Sequence, residues 1–420
     1  MSRKNVALWT LYDFANSIVT VVFFLYFSQW LVVDRGMADI WYNMLFTAGS
    51  VLLLFTAPLL GAIADRTGRE RTYLNRVTIL GILCFTGASV TAVFFPQHFY
   101  IAAAFFLFAN YFYQFSFGFY NALLHFIAPP QKWGTISGVG QAGNWLGQIA
   151  GLLISLPLAI GAVYLVGEAG RAQTFLPATL LSFLLALPML LWFRLPRHEH
   201  KDSPIIQRVS LVEEYRNQWS RFRKLLKAPN MGLFLLAYFF FNDAIITASN
   251  NFPIFLENVF SVSDQTKSLL LLGILVTSVI GALCSGFAAD RTGLKKALLI
   301  VLGGWMVIFP LLGITTNFPL FVSLCTLMGF LFGATWTVTR AAMTALCPKD
   351  QLNFGFSFYT LAERVSTLVG PLTWGLITSL FAGLGPVRYR LAVLTMTFFV
   401  IAGFFIVQKI SITARNRDVS

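Results

Sequence analysis

Three carboxylic acids, Asp13, Asp243 and Glu363, interrupt long apolar stretches of this sequence. A charged side chain at the centre of a bilayer costs ~2.5 to 3.5 kcal/mol on insertion scales, so it usually faces a protein interior or a wet cavity. Buried acids of this kind bind cationic groups or exchange protons. All three are therefore candidates for a substrate site or a proton-coupling site.

Polar residues accompany two of these acids at helical spacing, because residues at i, i+3 or i+4, and i+7 share one face of an α-helix. One stripe consists of Asp13, Asn16 and Thr20, and a second consists of Asp243, Thr247 and Asn250. At 1.5 Å per residue, Asp243 and Glu363 lie roughly 15 to 20 Å from the cytoplasmic ends of their spans, and Asp13 about 10 Å. This depth ranks Asp243 and Glu363 above Asp13, for which we expect a helix-positioning or gating role.

Two arginines leave the role of Glu363 open. Arg364 follows it directly, and Arg340 lies in the preceding apolar span. Either guanidinium could neutralise the carboxylate in a structural ion pair, or all three groups could belong to a site that binds substrate or protons. We therefore include both arginines among the candidate site residues.

Amides and glycines alternate along a further apolar stretch. Gln141, Asn144 and Gln148 share one helix face, where amides can hydrogen-bond a polar substrate or brace neighbouring helices. Both readings remain open. A ladder of small residues runs through the same stretch and predicts close helix packing. It consists of Gly140, Gly143, Gly147 and Gly151.

The composition indicates that the helices carrying these side chains lie in a lipid bilayer. Of 420 residues, 57% are hydrophobic and 11% are charged, whereas soluble globular domains carry about 25% charged residues. Apolar runs of roughly 20 residues, enough to cross a bilayer core, cover most of the chain. The net charge of +13 sits in short clusters between these runs and therefore indicates membrane topology, not nucleic-acid binding.

We predict twelve transmembrane helices and both termini in the cytoplasm, because Lys and Arg collect in alternate connections. The spans are 7–33, 42–64, 73–95, 99–127, 134–166, 174–193, 230–256, 268–289, 296–315, 318–346, 353–383 and 389–409. They form a six-helix N-terminal half over residues 1–193 and a six-helix C-terminal half over 230–420. A basic, amphipathic cytoplasmic linker joins the halves over 194–229. A bacterial inner membrane is the expected location.

A repeated string relates the two halves. GAIADRTGRER at 61–71 and GFAADRTGLKK at 286–296 match at six positions, at a constant offset of 225 residues. Parallel repeats of six helices, with the substrate site between them, are a transporter architecture. In this setting Asp65 and Asp290 are placed where a carboxylate can face the positive N-terminus of a helix from the other half.

Both strings resemble the motif that the major facilitator superfamily carries after the second helix of each half, and the likeness extends over the whole chain. This resemblance implies a monomeric secondary transporter that works by alternating access. It also implies that the repeated strings close the cytoplasmic side, with small residues allowing close helix approach. The implied gate residues are Gly61, Asp65, Arg66, Arg69, Gly286, Asp290 and Arg291.

A narrower likeness is carried by LYDFANS at 11–17, SGVGQAGNWLGQIAGLL at 137–153 and FGFSFYTLAERVSTLVGPLTWG at 354–375. These strings resemble the vacuole effluxer-like branch of the superfamily, in which Thr339-Arg340 stands where a Ser-Arg pair is common. Eukaryotic members are implicated in amino-acid export from the vacuole. The resemblance implies efflux of amino acids or other small polar solutes, driven by protons or by the solute gradient.

Two other functions remain open from the residues. Abundant aromatic side chains suit an exporter of amphiphilic or drug-like molecules, or a lipid flippase. A non-transporting membrane receptor that kept the fold is a third reading. The sequence contains no phosphate-binding loop, nucleophile elbow or metal-ligand cluster, so we expect no enzyme activity, cofactor or metal. The expected partners are a small-molecule substrate, protons and the lipid bilayer.

Overall fold

The computed structural model describes residues 2–37, 39–167, 170–194, 220, 222–228, 230–262, 264–365 and 369–412. Thirteen helices within these ranges are used below. They are α1 (Arg3–Val22), α2 (Asp39–Thr67), α3 (Glu70–Phe94), α4 (Phe99–Ala122), α5 (Trp133–Ala159), α6 (Phe175–Trp192), α7 (Met231–Phe260), α8 (Asp264–Thr292), α9 (Leu294–Ile314), α10 (Phe318–Leu346), α11 (Leu352–Val365), α12 (Val369–Leu380) and α13 (Val387–Lys409). Most of the predicted linker, including residues 195–219, lies outside the described residues.

The predicted all-helical membrane protein is confirmed. Among the described residues, nine helical segments are long and apolar enough to cross a bilayer, and two shorter apolar helices occupy Val51–Asp65 and Val369–Leu380. Each predicted span overlaps at least one helix. Backbone N–H and C=O groups in the bilayer core need hydrogen-bond partners within the protein, and an α-helix provides these partners within one segment.

Four predicted spans are not single continuous α-helices. The span 7–33 is α-helical to Val22 and then π-helical over Phe23–Phe27 and Trp30–Asp34, and the span 99–127 divides into α4 and a short helix at Leu124–Ile127. The span 134–166 ends as a helix at Ala159, and Gly161 and Gly167 beyond it adopt positive φ angles of 74° and 83°. Glycine takes this conformation without a steric penalty, and it stops a right-handed helix. The span 353–383 is not one helix in the described residues, where α11 ends at Val365 and α12 begins at Val369.

The described helices divide into two compact units. The first comprises Met1–Ala128, Gly143–Ser220 and Lys349–Phe358. In this unit α1 packs against α6, and α3 packs against α4. The predicted glycine ladder brings α5 onto α1, because a Cβ at Gly147 would lie 2.9 Å from the carbonyl carbon of Phe14. Small residues permit this approach of two backbones.

The second unit comprises Pro129–Ala142, Arg221–Pro348 and Tyr359–Ser420. Here α7 packs against α13, while α8 packs against α10. The α8–α10 contact is again glycine-rich, since a Cβ at Gly329 would lie 2.5 Å from the backbone oxygen of Ile274. Each unit thus contains a short segment from the other half of the sequence, taken from the start of α5 or of α11.

Candidate functional site

The carboxylate of Asp65 lies at the start of α11. Its Oδ1 atom accepts hydrogen bonds from the backbone N–H of Asn353 at 2.9 Å and from the side-chain amide of Asn353 at 2.8 Å. Its Oδ2 atom accepts from the backbone N–H of Phe354 at 2.9 Å. The first N–H groups of a helix lack partners within the helix and carry partial positive charge. Asp65 therefore caps α11 from the end of α2.

Asp290 makes the equivalent contact in the second unit. Its Oδ1 and Oδ2 atoms accept hydrogen bonds from the backbone N–H groups of Gly134 and Thr135, each at 2.7 Å. These two donors open α5, so the carboxylate at the end of α8 caps this helix. Both repeated strings thus place an acid at the first turn of a helix that belongs to the other half of the sequence.

The glycine of each string lets the two helices meet. A Cβ at Gly61 would lie 2.6 Å from the Ser357 Oγ atom and 2.9 Å from the Asn353 carbonyl oxygen. A Cβ at Gly286 would lie 2.5 Å from the Gly134 carbonyl oxygen. Both distances are too short for any side chain, so these positions require glycine for the helix contact.

The described arginine side chains of the two strings do not pair with the capping carboxylates. Arg69 is exposed, and the Arg291 guanidinium lies 4.0 Å from the centre of the Phe287 ring, a cation–π contact. Within the described residues neither arginine forms an ion pair with Asp65 or Asp290. The side chain of Arg66 lies outside the described residues. The observed caps are therefore carboxylate-to-backbone contacts.

Asp13 is buried in a hydrogen-bonded network of the first unit. Its Oδ1 atom accepts from the Asn144 side-chain amide at 2.8 Å, and its Oδ2 atom accepts from the Tyr120 hydroxyl at 3.0 Å. Gln148 extends the network by donating to the Asn144 Oδ1 atom at 2.8 Å. Trp9 fixes Tyr120 by stacking on its ring at 4.6 Å. Both carboxylate oxygens are thus satisfied by the protein itself.

A small cavity with a mixed polar and apolar wall adjoins this network in the first unit. Its walls include Tyr12 and Asn16, together with Thr78, Ser116 and Ser182. The Tyr12 hydroxyl shares a 2.6 Å hydrogen bond with the Thr78 hydroxyl, and Asn16 is buried. Tyr12 and Asn16 belong to the LYDFANS string, so this string supplies both the bonded carboxylate and part of the cavity wall.

Asp243 contrasts with Asp13, although both are buried. The Asp243 and Thr247 side chains are each 0% exposed. The Gly370 backbone and the Thr247 hydroxyl lie beside the Asp243 carboxylate. Nevertheless, neither carboxylate oxygen accepts a hydrogen bond of normal geometry from a described residue, and the Thr247 hydroxyl likewise makes none. Asn250, the third member of the predicted stripe, is exposed.

Arg340 and Gln141 meet in the second unit. The Arg340 Nη2 atom donates to the Gln141 Oε1 atom at 2.5 Å, and both side chains are buried. No ion pair between Arg340 and Asp243 occurs among the described residues. The side chain of Arg364 lies outside the described residues.

Two tyrosines link Glu363 to α10 and α7. The Tyr238 hydroxyl donates to the Glu363 Oε2 atom at 3.5 Å, the long limit of a hydrogen bond. The rings of Tyr238 and Tyr359 stack at 4.3 Å, and the Tyr359 hydroxyl donates to the Thr339 hydroxyl at 3.0 Å. Glu363 is half-buried. Sequence reasoning missed both tyrosines, because aromatic residues are too common in this chain to mark a site.

The fold defines the class of protein. The human organic anion transporter MFSD10 matches 97% of this chain and 99% of its own, with a TM-score of 0.73 and 15% identity. The E. coli fucose:proton symporter FucP matches 97% of this chain and 98% of its own, with a TM-score of 0.75 and 11% identity. The fold is therefore that of the major facilitator transporters.

The family match assigns the chain more specifically than the fold does. A family model described as "Vacuole effluxer Atg22 like" matches residues 130–415, and the chain belongs to this family. The Bacillus subtilis MFS-type transporter YxiO is 24% identical across 94% of this chain and 93% of its own length. Autophagy-related protein 22 of Yarrowia lipolytica is 24% identical across 62% of this chain and 48% of its own. The chain is a multi-pass membrane transporter of small molecules, not an enzyme.

Proposed function

We propose that this transporter moves amino acids or other small polar solutes out of the cytoplasm by alternating access, with coupling to protons through Asp243. The observation that carries the coupling is a fully buried carboxylate without a hydrogen-bond donor of normal geometry among the described residues. The family match to vacuole effluxers supports an efflux function. A site near the midplane that opens alternately to either side is the general mode of such folds.

The proton chemistry follows from the cost of burying charge. An ionised carboxylate without partners in an apolar interior is strongly disfavoured, whereas the neutral acid costs far less. Asp243 would therefore bind a proton when its surroundings are dry and release it to water when they are hydrated. Conformational change that alternates these two environments couples proton movement to the transport cycle.

Solute recognition would involve charged groups elsewhere in the second unit. Arg340 is a buried guanidinium whose Nη2 atom donates to the Gln141 amide oxygen, and guanidinium groups bind carboxylates with two parallel hydrogen bonds. Glu363 supplies a half-buried carboxylate for a cationic group. A solute with one acid and one amine, such as an amino acid, has charges complementary to this pair.

An apolar cavity in the second unit favours the alternative of an amphiphilic substrate. Its volume is about 20 Å³, and no residue of its wall is charged. Its walls include Phe252, Phe255, Phe309, Phe321, Met328 and Trp374. Cavities of this lining bind apolar groups, so a drug-like or lipid substrate is the second candidate.

Flux into and out of proteoliposomes tests both candidates. We would measure movement of a mixed pool of radiolabelled amino acids, with a pH gradient of either sign and without one. The proposal predicts that a pH gradient drives accumulation of at least one amino acid. Movement of a fluorescent amphiphile, with no amino-acid flux under any gradient, would instead favour the alternative.

The proposed orientation places both termini in the cytoplasm of a bacterial cell, as the charge distribution indicates. Single cysteines introduced at Ser2, Ser203 or Ser420 should resist an impermeant thiol reagent added outside intact cells. A cysteine at Ser263 should react. Labelling of position 203 from outside would overturn this orientation.

A further inference from the structure

Helix α12 rests on α7 at the position of Asp243. Of the twelve residues of α12, Gly370 and Trp374 are the buried ones, and they lie one turn apart on the same face. A Cβ at Gly370 would lie 2.6 Å from the Asp243 Oδ1 atom and 3.0 Å from its Cγ atom. It would also overlap the Thr247 Oγ1 atom. The backbone of α12 therefore lies directly against the carboxylate.

This contact removes Asp243 from water. Both Asp243 and Thr247 are fully buried, although the remainder of α12 is mostly exposed. The glycine leaves room only for the backbone itself, so neither a side chain nor a hydrated ion fits between the two helices at this point.

We propose that Gly370 is a positioning residue for proton coupling: α12 covers Asp243 through this glycine, and the carboxylate exchanges its proton with water only when α12 separates from α7. The inference rests on the proposed role of Asp243 in coupling. It adds the element that controls access of water to the carboxylate and the residue that sets how closely this element packs.

We attribute control of water access at Asp243 to helix packing and not to a charged partner. Helix α12 carries no titratable side chain. The titratable groups on the other helices that contact α7 are Cys325 and Arg340 on α10, Tyr359, Glu363 and Arg364 on α11, and Arg388, Tyr389, Arg390 and Lys409 on α13. The side chain of Arg364 lies outside the described residues. None of these groups makes a hydrogen bond or an ion pair with Asp243 within the described part of the chain. We therefore attribute a change in its charge to the entry of water.

Gly370→Ala is the direct test, and Gly375→Ala is its matched control. Both substitutions add one methyl group to α12 and raise its helix propensity equally, but a Cβ at Gly375 meets nothing within 4 Å. The added methyl group at position 370 overlaps the Asp243 carboxyl group and the Thr247 hydroxyl, so α12 or these two side chains must move. The proposal expects α12 to move and to admit water to Asp243. The full-length protein would be studied in lipid at neutral pH without any substrate.

The readout is the infrared carbonyl band of the protonated carboxyl group, identified by its absence in Asp243→Asn. Because water favours the ionised form, the band should lose about half its amplitude or more in Gly370→Ala. The band should be unchanged in Gly375→Ala. Equal bands in wild type and both glycine variants would overturn the proposal.

A thiol measurement keeps the test decisive if Gly370→Ala does not fold. In a protein whose four native cysteines are replaced by alanine, Asp243→Cys should react with a small permeant thiol reagent roughly tenfold more slowly than Asn250→Cys, the expected effect of full burial. Position 250 is exposed on the same helix. Equal rates would show that α12 does not cover position 243.

The two proposals fail differently. If Asp243→Asn retains wild-type accumulation driven by a pH gradient, the coupling role of Asp243 is wrong. If that variant loses driven accumulation while Gly370→Ala behaves like Gly375→Ala in the infrared measurement, the coupling role stands and the covering role of Gly370 is wrong.

Discussion

Helices α1 and α7 open the two halves of the sequence, and each carries one buried aspartate. Asp13 is 1% exposed and accepts hydrogen bonds from Asn144 and Tyr120, whereas Asp243 is 0% exposed and accepts none of normal geometry from the described residues. Burial alone therefore does not separate a structural acid from a functional one. We expect the number of donors around each carboxylate to separate them, because a carboxylate with donors stabilises one structure, whereas one without donors favours protonation.

Replacement by asparagine should separate the two acids most strongly. Asp243→Asn keeps the shape but cannot titrate, so accumulation driven by a pH gradient should be abolished in proteoliposomes. Exchange of solute down its own gradient should persist. Asp13→Asn can still accept from Asn144 and donate to the Tyr120 oxygen, so it should retain driven accumulation. Equal loss in both variants would break the distinction.

Replacement by leucine should reverse the order of stability. Asp13→Leu leaves the Asn144 amide and the Tyr120 hydroxyl without their acceptor, which costs about 1–3 kcal/mol. Asp243→Leu removes a carboxylate that is costly to bury, so it should be neutral or stabilising. Thermal unfolding in detergent measures both. A lower Tm for Asp243→Leu than for Asp13→Leu would contradict the comparison.

The caps of α11 and α5 extend the comparison to acids satisfied by backbone N–H groups. Asp65→Asn and Asp290→Asn each leave at least one backbone donor unpaired and remove the charge, with a local cost of about 1–2 kcal/mol. Amide hydrogen exchange should accelerate roughly tenfold at residues 353 and 354 in the first variant, and at 134 and 135 in the second. Each variant serves as the control for the other. Unchanged exchange in both would reduce the two strings to topology signals.

Asn353→Ala should give the smallest effect. Asp65 has a side-chain donor that Asp290 lacks, because glycine occupies the equivalent first-turn position of α5. This hydrogen bond joins a neutral amide to a charged carboxylate, so its loss costs about 1.5 kcal/mol, but both backbone donors keep their acceptor. Exchange at Phe354 should then approach that at Thr135. No change at Phe354 would show that the third hydrogen bond does not contribute.

Sequence patterns predicted the helices well because the bilayer selects long apolar runs, and the repeated strings identified both capping acids. They were less successful where a partner is distant along the chain. The pairing of Arg340 with Gln141 and of Asp13 with Tyr120 depends on helix packing that periodicity does not encode. Helical spacing placed Asn250 on the face of Asp243, but spacing gives direction and not burial.

The cap of α11 also has a consequence for the order of events during synthesis. Asp65 lies 288 residues before its donor Asn353, so the chain emerges from the ribosome with this carboxylate unsatisfied. At ordinary elongation rates the interval is roughly 15 to 60 s, during which α2 is already made. The exposed acid must remain in water or at the membrane surface until α11 arrives. Completion of the first unit is therefore a late, post-insertion step that needs the C-terminal half of the chain.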